Sequence, residues 1–162
     1  MVGFTRYSLL VFSVIAFTAL LFTVLDTSGN QRANRNDQRT KDVQFYINKI
    51  EAYAKANGSV PSFSSSFQQV GTAASRCEIS NEHCQISTTE CLDVNMVMND
   101  KELTLPSDVR IGSIYKTGYA VKYDSALETA VVVACGAEQE ASISAEKNLH
   151  DWLNSGKVNG KK

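Results

Sequence analysis

Residues 4–25, FTRYSLLVFSVIAFTALLFTVL, are dominated by apolar side chains, and from Leu9 to Leu25 the chain carries no charge. The polar groups in that interval are the hydroxyls of Ser13, Thr18 and Thr23, which are able to bond back onto carbonyls of their own helix. A helix rises about 1.5 Å per residue and the hydrocarbon slab is roughly 30 Å thick, so about 20 residues cross it. The stretch has that length, with Arg6 near enough to its end to reach the headgroups. The pattern predicts a transmembrane helix that is not cleaved. A secretory signal core runs to only about 7–15 apolar residues, and no small-x-small site follows this one cleanly. Ser13, Ala16, Ala19 and Thr23 recur at three- and four-residue steps and are small enough to let a second membrane helix come close.

The pattern then changes. Thr27-Ser28-Gly29-Asn30 and the polar residues after them predict a linker, or a frayed or bent continuation of the helix, over 26–36. From Asp37 onward Val43, Tyr46, Ile47, Ile50, Tyr53 and Ala54 fall on one stripe of a helix. Asn57-Gly58 stops that helix and Pro61 prevents it resuming. Residues 62–75 read as a loop with at most a short helix, 77–91 as a segment held by its cysteines, and 93–104 as a short helix or the approach to a strand.

Pro106 opens a β section: a short strand at Val109-Arg110-Ile111, a turn at Lys116-Thr117-Gly118, an alternating strand over 119–123, a turn at Asp124-Ser125 and a β-branched run over 129–133. Residues 130–134 are apolar on both faces, which places them inside a sheet covered on one side by the helix. Leu149, Trp152 and Leu153 predict an amphipathic helix over 144–154, stopped at Gly156, with a loose tail over 157–162. The fold class predicted is α+β, a long amino-terminal helix packed on a small antiparallel sheet. The chain divides into a leader (1–3), an anchor (4–25), the polar interval (26–36), one globular head (37–156) and the tail.

Charge narrows the functions. Sixteen basic residues against seventeen acidic ones leave a net charge of -1, so no field points to nucleic acid or an acidic substrate. Arg32, Arg35, Arg39 and Lys41 form a locally basic flank that the positive-inside rule assigns to the cytoplasm. Cys77, Cys84, Cys91 and Cys135 argue the opposite, because an even set of cysteines in a small anchored head indicates disulfides and an oxidising compartment. With Asp26, Asp37 and Asp42 diluting the basic flank, the head is placed outside the cytoplasm. Three pairings are open; the favoured one joins Cys77 to Cys84 and Cys91 to Cys135.

Chemistry-bearing motifs are sparse. The seven-residue intervals around His83-Cys84 do not match the close pairs of a structural zinc site, so neither metal nor cofactor is expected. Ser64-Ser65-Ser66 lacks elbow glycines, no phosphate-binding glycine loop occurs, and His150-Asp151 reads as a solvated helix face, so an enzyme is not expected. Tyr115, Tyr119 and Tyr123 read as sheet packing, with a binding face as the alternative.

Two motifs carry a resemblance. Gly3-Phe4-Thr5 stands ahead of Leu9-Leu10-Val11, and Arg39-Thr40-Lys41-Asp42-Val43 is followed by Ile47, Ile50-Glu51, Tyr53 and Asn57-Gly58-Ser59-Val60-Pro61. Together they resemble the type IV pilins and pseudopilins as far as Pro61, and the sheet region does so loosely. The resemblance implies a pilin-like fold, processing by a prepilin peptidase between Gly3 and Phe4, and assembly through Phe4, Ser8, Leu9, Leu10 and Val11. It implies membrane lipid, homologous pilin subunits and the pilus assembly machinery as partners, and a path from the cytoplasmic membrane to a surface filament. Most pilins carry a glutamate at the position of Ser8, where it meets a neighbouring subunit's amino terminus. Its absence implies a minor subunit, with Ser8→Glu expected to improve incorporation. Arg6 also replaces an apolar residue of the family, and the leader Met1-Val2-Gly3 is short. The competing reading is a membrane-tethered extracytoplasmic binding or sensor domain that stays monomeric.

Overall fold

The computed structural model describes residues 2–71, 79–80, 84–86, 91–98, 104–113, 116–138, 141–151 and 153; the side chains of 2–12, 19–27, 79–80, 85 and 96–97 lie outside the description. In chain order the elements are α1 (Val2–Asn57), β1 (Gln68–Gly71), β2 (Ile79–Ser80), β3 (Gln85–Ile86), β4 (Leu92–Asp93), α2 (Val94–Val97), β5 (Lys116–Asp124), β6 (Thr129–Ala134) and β7 (Ser144–Asn148). The chain separates into two units, residues 1–35 and 36–162.

The second unit is α+β, a helix and a five-stranded sheet of order β4-β1-β5-β6-β7, beside a separate β2-β3 pair. The predicted stripe, Tyr53 excepted, is the packing face of the helix: Val43, Tyr46, Ile47, Ile50 and Ala54 are buried in one cluster with Val70, Tyr119, Val121, Ala130, Val132 and Ala134, and Tyr53 is half-buried outside it. Period-two alternation on the strands sends Ala120 and Val133 to the opposite face, where they join Cys84, Ile86 and Cys135 in a second cluster. Residues 130–134 are therefore covered on both sides, as their composition predicts. The helix closes as Asn57-Gly58 predicts. Gly58 has φ 61° and its N–H donates to Ala54 O at 2.9 Å, a single left-handed cap.

Several expectations are corrected. The sheet is mixed rather than antiparallel, because β1 pairs parallel with β4 and antiparallel with β5. Residues 68–71, read as loop, form β1: Gln-Gln-Val-Gly has weak strand propensity, and pairing on both sides overrides it. Val109-Arg110-Ile111 is a turn, wound around the Asp108 carboxylate, which accepts the N–H groups of Arg110 at 2.8 Å and Ile111 at 3.1 Å. Lys116-Thr117-Gly118 begins β5 instead of turning; a Cβ on Gly118 (φ 84°) would lie 2.8 Å from Asp108 Cβ, so the glycine admits the 107–112 loop. Residues 144–148 form β7, not a helix. Ala, Glu and Lys favour helix, but the unpaired edge of β6 takes them as an antiparallel strand from Thr129↔Asn148 to Val133↔Ser144. Helical backbone there is confined, among the described residues, to 150, 151 and 153.

In the first unit, α1 is helical throughout, and its assignment continues without interruption across 26–36. Nothing lies within 4 Å of a Cβ built on Gly29. Gly29→Ala is therefore expected to stabilise the helix there by about 1 kcal/mol, seen as slower hydrogen exchange at residues 28–34; faster exchange would show that the glycine has another task.

Candidate functional site

A helix stripe that packs on a sheet is expected to be apolar, yet Arg39, four residues before Val43, is 2% exposed. Each of the three nitrogens of its guanidinium has a partner. Nε and Nη2 donate to Asp108 Oδ2 and Oδ1 at 2.5 and 3.2 Å, and Nη1 donates to Glu138 Oε1 at 3.0 Å and Asn36 Oδ1 at 2.9 Å. Asn36 and Glu138 also join reciprocally, Asn36 Nδ2 to Glu138 O at 2.8 Å and Glu138 N to Asn36 Oδ1 at 3.1 Å. Arg110 Nη1 reaches the other Glu138 oxygen at 3.3 Å. Three segments, the helix from Asn36, the 107–112 loop and residues 135–138, are thus bound by one buried ionic cluster.

A second set of bonds extends the cluster along the helix. Tyr119 Oη donates to Asp42 Oδ2 at 2.6 Å, Gln38 Nε2 to Asp42 Oδ1 at 2.7 Å, and Tyr46 Oη to Pro106 O at 2.7 Å. Burial pushes both phenols up, Tyr119 with help from the hydrogen-bonded Asp42, so both remain donors. Tyr119 is accordingly a packing and anchoring residue. Tyr123 is half-buried, and Tyr115 lies outside the described residues.

Burial alone would raise the Asp108 carboxyl, but Arg39 and the backbone N–H groups of Arg110 and Ile111 outweigh it and hold the group below its ordinary 3.8. A depressed carboxyl contributes stability that is present above the unfolded value and is lost as pH falls through the folded one. The thermal midpoint is expected to fall as pH drops from about 5 toward about 2, and Asp108→Asn to flatten that slope. An unchanged slope would remove Asp108 from the acid transition. Glu51, lowered chiefly by its bond to Lys55 and further by Lys147, adds a smaller part of the same sign.

The disulfide expectation is corrected in its connectivity. Cys84 is bonded to Cys135, with Cα atoms 5.1 Å apart, rather than to Cys77. The sheet explains this: Cys84 precedes β3 and Cys135 follows β6, and both are buried on the face that α1 leaves open. Cys91 is also disulfide-bonded; Cys77 lies outside the described residues. Among the described residues no group of His, Cys, Asp and Glu is placed to hold a metal ion.

Of the expected assembly and processing residues, Gly3, Phe4, Ser8, Leu9, Leu10 and Val11 have helical backbone, and their side chains lie outside the described residues. Within the apolar stretch, residues 13–18 are described, and all six are exposed. Val14, Ile15 and Phe17 stand 60%, 58% and 65% exposed, and Thr18 Oγ1 returns to Val14 O at 3.0 Å and Ile15 O at 2.9 Å. Six successive helical positions run right round the axis, so this segment is apolar on most sides and, among the described residues, is left exposed. Among the described residues no helix is long and apolar enough to cross a membrane; the expected span over 4–25 falls mostly on side chains outside them.

Comparison with protein-family models, curated proteins and solved structures finds no match in any of the three.

The buried cluster was only half legible beforehand. Arg39 and Asp42 stood in the motif, but their partners Asp108, Glu138 and Tyr119 did not. The available signal was Arg39 itself, a cation in register with Val43, Tyr46 and Ile50. A charge on a core-facing stripe requires a buried carboxylate somewhere in the fold.

Proposed function

We propose that this chain is a structural subunit of a type IV pilin-like or pseudopilin-like filament, held in the membrane by its amino-terminal helix before assembly, with the head outside the cytoplasm. The observation that carries this is the exposed, largely apolar segment 13–18, in which Val14, Ile15 and Phe17 stand open and the Thr18 hydroxyl is turned back onto the helix. A helix apolar all round is stable against lipid or against other helices, and exchanging one for the other keeps that surface from water. Burial contributes about 25 cal/mol per Å², so a rod of this length is held mainly by packing rather than by polar contacts. The motifs up to Pro61 and the α+β head point the same way, and Cys84–Cys135 suits an oxidising compartment. The head then lies outside, braced internally by the Arg39 cluster, and has no catalytic role. The test is fractionation of cells that express the full chain, followed by shearing of the surface. Recovery from membranes and from sheared filaments supports the proposal. Recovery only from the soluble cytoplasm refutes it, and recovery only from membranes favours the tethered binding or sensor domain.

A further inference from the structure

We infer that, within the filament proposed above, the 107–112 loop of one copy of this chain seats on the β5–β6 hairpin tip, residues 124–128, of the next copy. The two patches lie at opposite ends of β5. Asp108 N donates to Thr117 O at 2.7 Å and Ser113 N to Lys116 O at 2.6 Å, which fixes the loop at the start of the strand. The hairpin tip follows its last residue, Asp124. Nine residues at about 3.4 Å each separate the ends by roughly 30 Å.

Among the described residues of the second unit the exposed large apolar side chains are Val109 at 73% and Leu127 at 65%, one in each patch. Both are carried on turns braced in the same way. The Asp108 carboxylate accepts the N–H groups of Arg110 and Ile111, and the Asp124 carboxylate accepts those of Ala126 and Leu127 at 2.9 and 3.1 Å. Turns fixed in advance lose little entropy when a partner arrives.

Their charges are complementary. The loop shows Arg110, 60% exposed, and shares Glu138 between Arg39 and Arg110, while the half-buried Lys116 opens the strand to which the loop is bonded. The tip carries Asp124 and Glu128, with Asp151 exposed next to His150, the residue that pairs with Glu128. Of the nearby lysines, Lys55 and Lys147 pair with Glu51, and Lys122 lies over the Phe67 ring. Loop against loop would oppose two Arg110 side chains, and tip against tip would oppose acids. Loop against tip matches apolar to apolar and base to acid. Two different patches at opposite ends make a contact that propagates along an axis instead of closing into a dimer.

The test uses the full-length chain and the variants Val109→Asp, Leu127→Lys and the two together, each read by its yield in sheared filaments. Both side chains are exposed, so unchanged thermal midpoints are expected. Each single variant sets like charge against like and is expected to lower filament yield about tenfold; the double variant, which rebuilds an acid–base pair, is expected to return to within about threefold of the original. A photo-crosslinking residue at position 127 should give a covalent dimer joined through the 107–113 peptide of the second copy. Normal filament yield from both single variants overturns this contact while leaving the filament reading intact. Absence of the unaltered chain from filaments overturns the filament reading, and this contact with it.

Discussion

Arg39→Ala is expected to cost the head about 3–5 kcal/mol, a large part of the stability of a domain this size. The substitution removes more than a contact. Asp108, whose side chain is 0% exposed, would be left buried as an uncompensated anion, and Glu138 and Asn36 would lose their shared donor. Arg39→Lys is expected to fall between the original chain and Arg39→Ala, since an ammonium cannot span both Asp108 oxygens and reach Glu138 as the planar guanidinium does. Replacing the pair, Arg39→Met with Asp108→Leu, should recover part of the loss but not all. Asp108 also holds the turn by accepting the N–H groups of Arg110 and Ile111. Denaturant titration of the full chain in detergent checks the series. A loss under about 1 kcal/mol for Arg39→Ala would mean that the cluster is solvated rather than buried.

The second large effect is expected at the Cys84–Cys135 bond. It closes a sequence separation of 51 residues, which in the chain-entropy account contributes about 4 kcal/mol. Among the described residues the β2-β3 pair joins no larger sheet, and this bond and the packing of Ile86 with Ala120 and Val133 hold it over the outer face. Cys84→Ala with Cys135→Ala should lower the denaturation midpoint accordingly and open residues 79–86 to protease before the main sheet unfolds. If the pair of alanines leaves both the midpoint and the cleavage pattern unchanged, the hairpin is held by packing alone.

The legible parts of the fold were those in which one face of an element had to be apolar. The stripe from Val43 to Ala54 and the two-sided run over 130–134 each read directly as a surface to be covered, and each is covered. The illegible parts are elements recruited by a neighbour. Residues 68–71 and 144–148 have little strand preference of their own and become strands because β5 and β6 present unpaired N–H and C=O groups. β7 keeps Glu146 and Lys147 exposed at the sheet edge, where charge discourages further pairing. The disulfide shows the same limit. Spacing cannot reveal that Cys84 and Cys135 share the face away from α1, since strand pairing brings them together and sequence separation does not. In the site, Arg39 lies in register with the packing stripe, a signal that its reading as part of a basic flank passes over, while Asp108 and Glu138 sit in loops whose destination only the folded chain defines.

The apolar helix is expected to pass from the membrane into a filament, and the mass of the chain taken from sheared surface filaments, compared with that from membranes, tests this most directly. The account predicts that the filament fraction contains this chain with its amino terminus at Phe4. A chain found in the membrane alone, with Met1 intact, would contradict it.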